Sequence, residues 1–210
     1  MWLSVSTRPD IAFAVSSVSR YLDRPTKEHW NAAKRILRYV KGTKDAKLSY
    51  ICCGSPVFIA YSDADWAGDV PTRKSTSGYV CFLNGTPISW CSKLQKCVAL
   101  SSAEAEYVAA CSAALECVYL RGLLADLSAP QRSATQLFMD NQSAIALSYN
   151  PIDHKRTKHI ELRVHKIREL VATGDVTLLW VKTDEMLADV FTKPLGPSKH
   201  RTFASTLISF

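Results

Sequence analysis

Carboxylates stand at four places in this chain where a regular element begins or ends. Asp63, Asp65 and Asp69 follow an apolar run in VFIAYSDADWAGD (57–69), and Glu104 and Glu106 open a long Ala-rich segment in SSAEAEY (101–107). Asp140 follows a second apolar run in MDNQSAI (139–145), and Asp189 lies in LADVFTKPL (187–195). Four carboxylates cannot share a small space without a compensating cation, because each disfavours ionisation of the others. Oxygen-only ligands select a hard ion, Mg²⁺ with Mn²⁺ as the alternative. Two such ions about 4 Å apart can activate a water and stabilise the leaving oxygen of a phosphodiester. Metal-assisted phosphodiester hydrolysis is therefore the chemistry on offer, if the fold gathers one acid from each place.

The elements that must do the gathering alternate in type. Val57–Tyr61 is a short strand of β-formers without charge, and Tyr79–Leu83 is a second. Asn84-Gly85 is a hairpin signal leading into a third strand at Ile88–Cys91, so three strands with short links predict an antiparallel meander. Ser101–Leu127 is the longest helix, and Ser101 with Glu104 fits a capping box, which gives Glu104 a structural role as well. Apolar residues lie all around this helix, so periodicity does not choose between Glu104 and Glu106. Gln136–Met139 is a fourth strand that ends at Asp140, a residue also suited to cap the short helix through Leu147. The basic stretch HKRTKHIELRVHKIREL (154–170) is helical, with Ile160, Val164, Ile167 and Val171 as its buried stripe. Val176–Val181 is a fifth strand. The chain from Asp184 is read as a helix carrying Asp189, ended by Pro194 and Gly196, with an uninformative tail behind it. If the first and fourth strands are neighbours, Asp63 and Asp140 converge at one end of the sheet.

The first fifty residues have a different character. Pro9-Asp10 starts one helix with Ile11, Val15, Val18 and Leu22 in register, and Thr26 caps a second whose stripe is Trp30, Ala33, Leu37 and Val40. Residues 1–50 hold ten Lys/Arg against four Asp/Glu, whereas residues 51–210 hold sixteen against fifteen. A basic segment joined to a near-neutral one points to a nucleic-acid partner. No apolar run is expected to span a bilayer, so no membrane partner is called. The seven cysteines include no CxxC pair and read as reduced core thiols of an intracellular protein.

The motifs YSDADWAGD (61–69), ISWCSKLQ (88–95), SSAEAEY, MDNQSAI, RTKHIELR (156–163) and LADVFTKPL occur in one order. In that order they resemble the ribonuclease H domain at the C-terminus of the Pol polyprotein of copia-type LTR retrotransposons. TRPDIAFAVSSVSRYL (7–22) and HWNAAKRILRYVKGT (29–43) resemble the tail of the same family's reverse transcriptase and its connection to that domain. The resemblance implies an α/β, ribonuclease H-like five-stranded mixed sheet flanked by helices and preceded by a helical hairpin. It divides the chain into a reverse-transcriptase tail (1–50), a ribonuclease H-like domain (51–195) and a C-terminal tail (196–210). It further implies cleavage of the RNA strand of an RNA–DNA hybrid, leaving 3′-hydroxyl and 5′-phosphate ends.

The family's acids carry over as Asp63, Glu104, Asp140 and Asp189, holding two Mg²⁺ ions, with Asp65 and Glu106 as the nearest rivals. Related nucleases often place a His before the last helix, whereas Lys182-Thr183-Asp184-Glu185 holds none. For the hybrid, Arg156, Lys158, His159, Arg163 and Lys166 are the candidate contacts, with Arg73, Lys74 and Ser75 beside the first acidic loop and Gln142 beside Asp140. The reverse-transcriptase portion of the same polyprotein is the second expected partner. The expected location is intracellular, in a cytoplasmic virus-like particle or the nucleus. The competing reading is a transposon remnant that binds nucleic acid without cutting it.

Overall fold

The apolar run after Val57 extends further than its five β-formers suggest. The computed structural model describes residues 1–50, 57–149 and 158–210, apart from the side chains of 158–162 and 164. The chain opens with α1 (Trp2–Ser6), a 3₁₀ turn at Pro9–Ile11, α2 (Ala12–Ser19) and α3 (Lys27–Gly42). The sheet then begins with β1 (Phe58–Asp65), β2 (Thr76–Leu83) and β3 (Thr86–Leu94). After α4 (Ser102–Asp126) come β4 (Thr135–Met139), α5 (Gln142–Tyr149), α6 (Lys158–Ala172) and β5 (Val176–Trp180). Two 3₁₀ helices, Thr183–Glu185 and Leu187–Phe191, lead to α7 (Pro197–Leu207).

The strands lie in the order β3-β2-β1-β4-β5. β1, β2 and β3 form the expected antiparallel meander, while β4 and β5 run parallel to β1 and to each other. This is the mixed five-stranded sheet of a ribonuclease H-like fold. Antiparallel pairing with β2 continues from Phe58↔Leu83 to Asp65↔Thr76, so β1 carries both Asp63 and Asp65 inside the ladder. Backbone pairing, which residue type alone does not reveal, explains why β1 outruns its apolar residues.

Alternation along β1 builds a core on each side of the sheet. Phe58 and Ala60 face a cluster with Tyr107, Ala110, Ala114 and Cys117 of α4, Leu137 and Met139 of β4, and Ile167 of α6. Ile59 and Tyr61 face the other cluster, with Val190, Phe191, Phe203, Leu207 and Ile208. The last fifteen residues are thus no passive tail, because α7 supplies a large share of the second core. α4 is, by length and composition, long and apolar enough to cross a membrane, contrary to the expectation that no segment is. In this fold its small residues Ala105 and Ala109 pack against Ala64 and Ala99, and its larger ones fill the first core.

The N-terminal hairpin divides into a docked part and a projecting part. Trp90 Nε1 donates to the Ser4 carbonyl at 2.7 Å, Ser16 Oγ donates to the Ser92 carbonyl at 3.1 Å, and Arg20 pairs with Asp69 at 2.8 Å. Arg8 clasps both oxygens of Asp10 and reaches Thr43, while His200 of α7 contacts the Asp10 carbonyl. In contrast α3 has no buried residue, and Trp30 and Leu37 of its apolar stripe are exposed. Thr26 caps α3 as expected, in a box closed by His29.

Candidate metal centre

The parallel pairing of β1 with β4 ends on the register pair Tyr61↔Phe138. Two residues beyond each partner stand Asp63 and Asp140, so one register delivers both acids to the same end of the sheet. Asp63 is buried in the β1–β2 ladder opposite Gly78. Asp140 lies just past β4, where its carbonyl accepts Trp180 Nε1 at 3.1 Å. The cap of α5 is not Asp140 but Asn141, whose Oδ1 accepts the Ala144 N–H at 3.0 Å. The Asp140 carboxylate is thereby left for the site.

The third acid is Glu106, and not the expected Glu104. Ser101 Oγ accepts the Glu104 N–H at 3.2 Å, and Glu104 Oε2 accepts the Leu100 N–H at 3.0 Å, so that side chain turns back to close the helix start. Residues two apart on an α-helix point about 200° apart, so the two glutamates cannot serve one site. Glu106 is 5% exposed. Its Oε1 accepts the Ala64 N–H at 3.3 Å, while its buried Oε2 has no hydrogen-bond partner. Among the described residues, Asp63, Glu106 and Asp140 each offer a ligand oxygen, all within 4.8 Å of one another.

Asp189 is buried close by but outside that trio. Its Oδ1 pairs with Lys193 Nζ at 2.7 Å and its Oδ2 with Lys199 Nζ at 2.9 Å. Lys193 also lies 3.4 Å from Asp63 Oδ2, which accepts from the Thr192 hydroxyl as well. Thr192, Lys193 and Lys199 escaped the sequence reading, although Lys193 follows Asp189 at the i,i+4 spacing that signals a pair. Asp65, the rival of Asp63, folds over the turn instead, so close that a Cβ on Gly68 would meet its Oδ2 at 1.8 Å. Asp69 is a loop residue bound to Arg20 and Thr72.

The acids are electrostatically expensive as they stand. Burial raises the Asp63 pKa; Lys193 and Thr192 oppose the rise, while Asp189 and Asp140 add to it. Burial, then Asp63 and Asp140, push Glu106 well above the ordinary glutamate value. Burial disfavours the Lys193 ammonium, but Asp63 and Asp189 outweigh it and raise its pKa. An all-oxygen trio of two buried acids and one half-buried, with one carboxylate oxygen unpartnered among the described residues, is a donor set suited to a hard divalent cation. Such a cation fits at Asp63, Glu106 and Asp140.

The expected substrate contacts fare unevenly. Arg73 and Gln142 are exposed and Lys74 is half-buried. Ser75 is fully buried, and its hydroxyl accepts the Ala67 N–H at 3.1 Å, so it fixes the β1–β2 turn and cannot meet a phosphate. Arg163 and Lys166 are half-buried on α6, and Lys166 pairs with Glu169 at 3.0 Å. Arg156 and the side chains of Lys158 and His159 lie outside the described residues.

No protein-family model matches the chain. It is 47% identical over 201 residues to the retrovirus-related Pol polyprotein from transposon TNT 1-94 of Nicotiana tabacum. It is 42% identical over 199 residues to that from transposon RE2 of Arabidopsis thaliana. These alignments cover 95% and 94% of this chain but only 15% and 14% of the polyproteins. The chain thus spans a small part of the curated relatives it matches. Among solved structures, foamy viral protease-reverse transcriptase in complex with dsDNA matches with a TM-score of 0.50 at 12% identity, over 81% of this chain and 33% of that one. LC11-RNase H1 in complex with RNA/DNA hybrid matches with a TM-score of 0.48 at 14% identity, over 64% and 93%. At such identities the likeness is one of fold.

Proposed function

Since the chain belongs to the retrovirus-related Pol polyproteins of copia-type transposons, we propose that it is a ribonuclease H that hydrolyses the RNA strand of RNA–DNA hybrids. The observation that carries this reading is the cluster of buried Asp63 and Glu106 with half-buried Asp140 at the end of the paired strands β1 and β4. Asp63, Glu106 and Asp140 would hold a Mg²⁺ ion, which would supply the charge that activates a water and offsets the charge developing on the phosphodiester.

The chain's own groups do the rest. The Ala64 N–H holds one oxygen of Glu106, and the Thr192 hydroxyl and Lys193 hold Asp63, so the ligands are fixed before substrate arrives. Exposed Arg73, beside the first acidic loop, meets backbone phosphates without reading sequence. Gln142, two residues past Asp140 at the exposed start of α5, is the candidate reader of the 2′-hydroxyls that distinguish RNA from DNA. The exposed stripe of α3, with Trp30 and Leu37, is the surface on which the reverse-transcriptase portion of the polyprotein seats.

Incubation of a labelled RNA–DNA hybrid with Mg²⁺ tests the reading, comparing wild type with Asp63→Asn. Wild type is expected to cut the RNA strand, and the variant to lose that activity while still binding. Binding without cutting by wild type contradicts the proposal and leaves a nucleic-acid-binding remnant.

A further inference from the structure

Asp63, Glu106, Asp140 and Asp189, the four acids gathered at this end of the sheet, fall into two unequal sets. Asp63, Glu106 and Asp140 form the trio with an unpartnered oxygen. Asp63 and Asp189 form a pair that already contains a cation, since Lys193 Nζ stands 3.4 Å from Asp63 Oδ2 and 2.7 Å from Asp189 Oδ1. Lys199 takes the other oxygen of Asp189 at 2.9 Å. Each oxygen of Asp189 thus has an ammonium group within 2.9 Å, Oδ2 accepting a hydrogen bond from Lys199 and Oδ1 held by ion pairing alone.

The local backbone makes this arrangement a built one. The N–H groups of Thr192 and Lys193 both donate to the Asp189 carbonyl at 3.2 Å, which folds the chain so that Lys193 returns over Asp189. Phe191, between them, is fully buried in the second core, and Thr192 is fully buried against Asp63. Lys199 reaches in from the first turn of α7, itself anchored by Phe203 and Leu207.

We propose that Lys193 occupies the place of a second metal ion, so that this site takes one divalent cation at Asp63, Glu106 and Asp140 and a fixed ammonium between Asp63 and Asp189. The inference rests on the ribonuclease H reading and sharpens it. Charge supports it: four carboxylates against Lys193 and Lys199 leave two negative charges, which a single divalent ion neutralises. Chemistry supports it too. An ammonium has three N–H donors; two serve Asp63 and Asp189, and the Lys193 side chain is 30% exposed, so the third can meet a phosphate oxygen of the substrate. Lys193 is thus a positioning residue for Asp63 and Asp189, with a donor left for the phosphodiester.

Titration with Mn²⁺, following free Mn²⁺ by electron paramagnetic resonance, reads the stoichiometry without any turnover. Wild type is expected to bind one Mn²⁺ per chain. Lys193→Met, which keeps the length of the side chain and removes its charge, is expected to bind two, and Lys193→Arg one. Two tightly bound ions in wild type overturn the inference whatever the variants do, including a Lys193→Met that fails to fold. A folded Lys193→Met that still binds one ion overturns it as well. Cleavage of an RNA–DNA hybrid by the same wild-type sample separates the two ideas. Cleavage with two ions bound removes only the role of Lys193, one bound ion without cleavage removes only the ribonuclease reading, and no bound ion removes both.

Discussion

Glu104 and Glu106 show how two residues of the same type, two positions apart, take unrelated jobs. Glu104 sits at the third helical position and closes the start of α4, whereas Glu106 lies over the end of β1. Glu104→Ala is expected to cost about 1 kcal/mol or less in urea denaturation, the scale of a lost cap interaction, with Mn²⁺ affinity unchanged. Glu106→Gln is expected to weaken Mn²⁺ binding by more than about tenfold, as losing a ligand should exceed the 10–100-fold cost of losing a ligand's partner. Equal losses in the two variants would contradict the assignment. The convergence of Asp63 and Asp140 was legible in the sequence because each follows an apolar run of β-formers, and the change from apolar to acidic shows at both places. The choice between Glu104 and Glu106 was not legible, because α4 is covered on several faces and its apolar residues mark no single inward side. The lysines were hidden for a different reason. Lys193 looks like any surface cation until the 3₁₀ turn folds it back onto Asp189.

At the scale of elements, the site depends on how closely the 3₁₀ helix Leu187–Phe191 lies on β2. A Cβ at Gly78 would meet the Phe191 Cβ and the Thr192 Cγ2 at 2.7 Å each, and the backbone of Phe191 at 3.1 Å. Gly78→Ala would ordinarily favour a strand, yet here overpacking is expected to cost about 1–3 kcal/mol by urea denaturation. The displaced Thr192 should also weaken Mn²⁺ binding through Asp63; an unchanged or raised stability would show that the 3₁₀ helix is not clamped there. The acidic loop ties a second element to the sheet, since Asp69 binds Thr72 and Arg20 of the hairpin. Hydrogen bonds from Thr72, and then the Arg20 charge, hold the Asp69 pKa below its ordinary value of 3.8. A lowered acid contributes stability above its unfolded value and loses it as pH falls through the folded one. Hydrogen–deuterium exchange of the α2 backbone N–H groups, corrected for the intrinsic pH dependence of exchange, should therefore be slow at neutral pH and speed up below about pH 3.8, and Arg20→Ala should show the fast rate already at pH 7. A rate in Arg20→Ala equal to that of wild type would show that the pair does not hold the hairpin. The strands of this sheet were readable from β-formers and the Asn84-Gly85 turn, but the extra length of β1 and β2 comes from pairing with each other, which no single segment records.

Across the whole molecule, two ends of the chain that the sequence leaves vague complete the structure. α7 fills the second core with Phe203 and Leu207 and sends Lys199 to Asp189, and beyond it Ser209 pairs with Lys47 in an isolated antiparallel bridge. The hairpin docks α2 on β3 while α3 stands out with Trp30 and Leu37 exposed. Helical periodicity announced both stripes of the hairpin; what it could not say was that, among the described residues, Trp30 and Leu37 of the second stripe stay exposed. The active site proposed for this assembled body has Asp63, Glu106 and Asp140 as its metal ligands. The rate of RNA-strand cleavage in an RNA–DNA hybrid with Mg²⁺, measured for wild type, Glu106→Gln and Glu104→Gln together, tests it most directly. Glu104→Gln is expected to cleave within about twofold of wild type and Glu106→Gln at least about 100-fold more slowly, the loss that about 2.7 kcal/mol of transition-state stabilisation represents. Cleavage that survives in Glu106→Gln and disappears in Glu104→Gln would contradict the account.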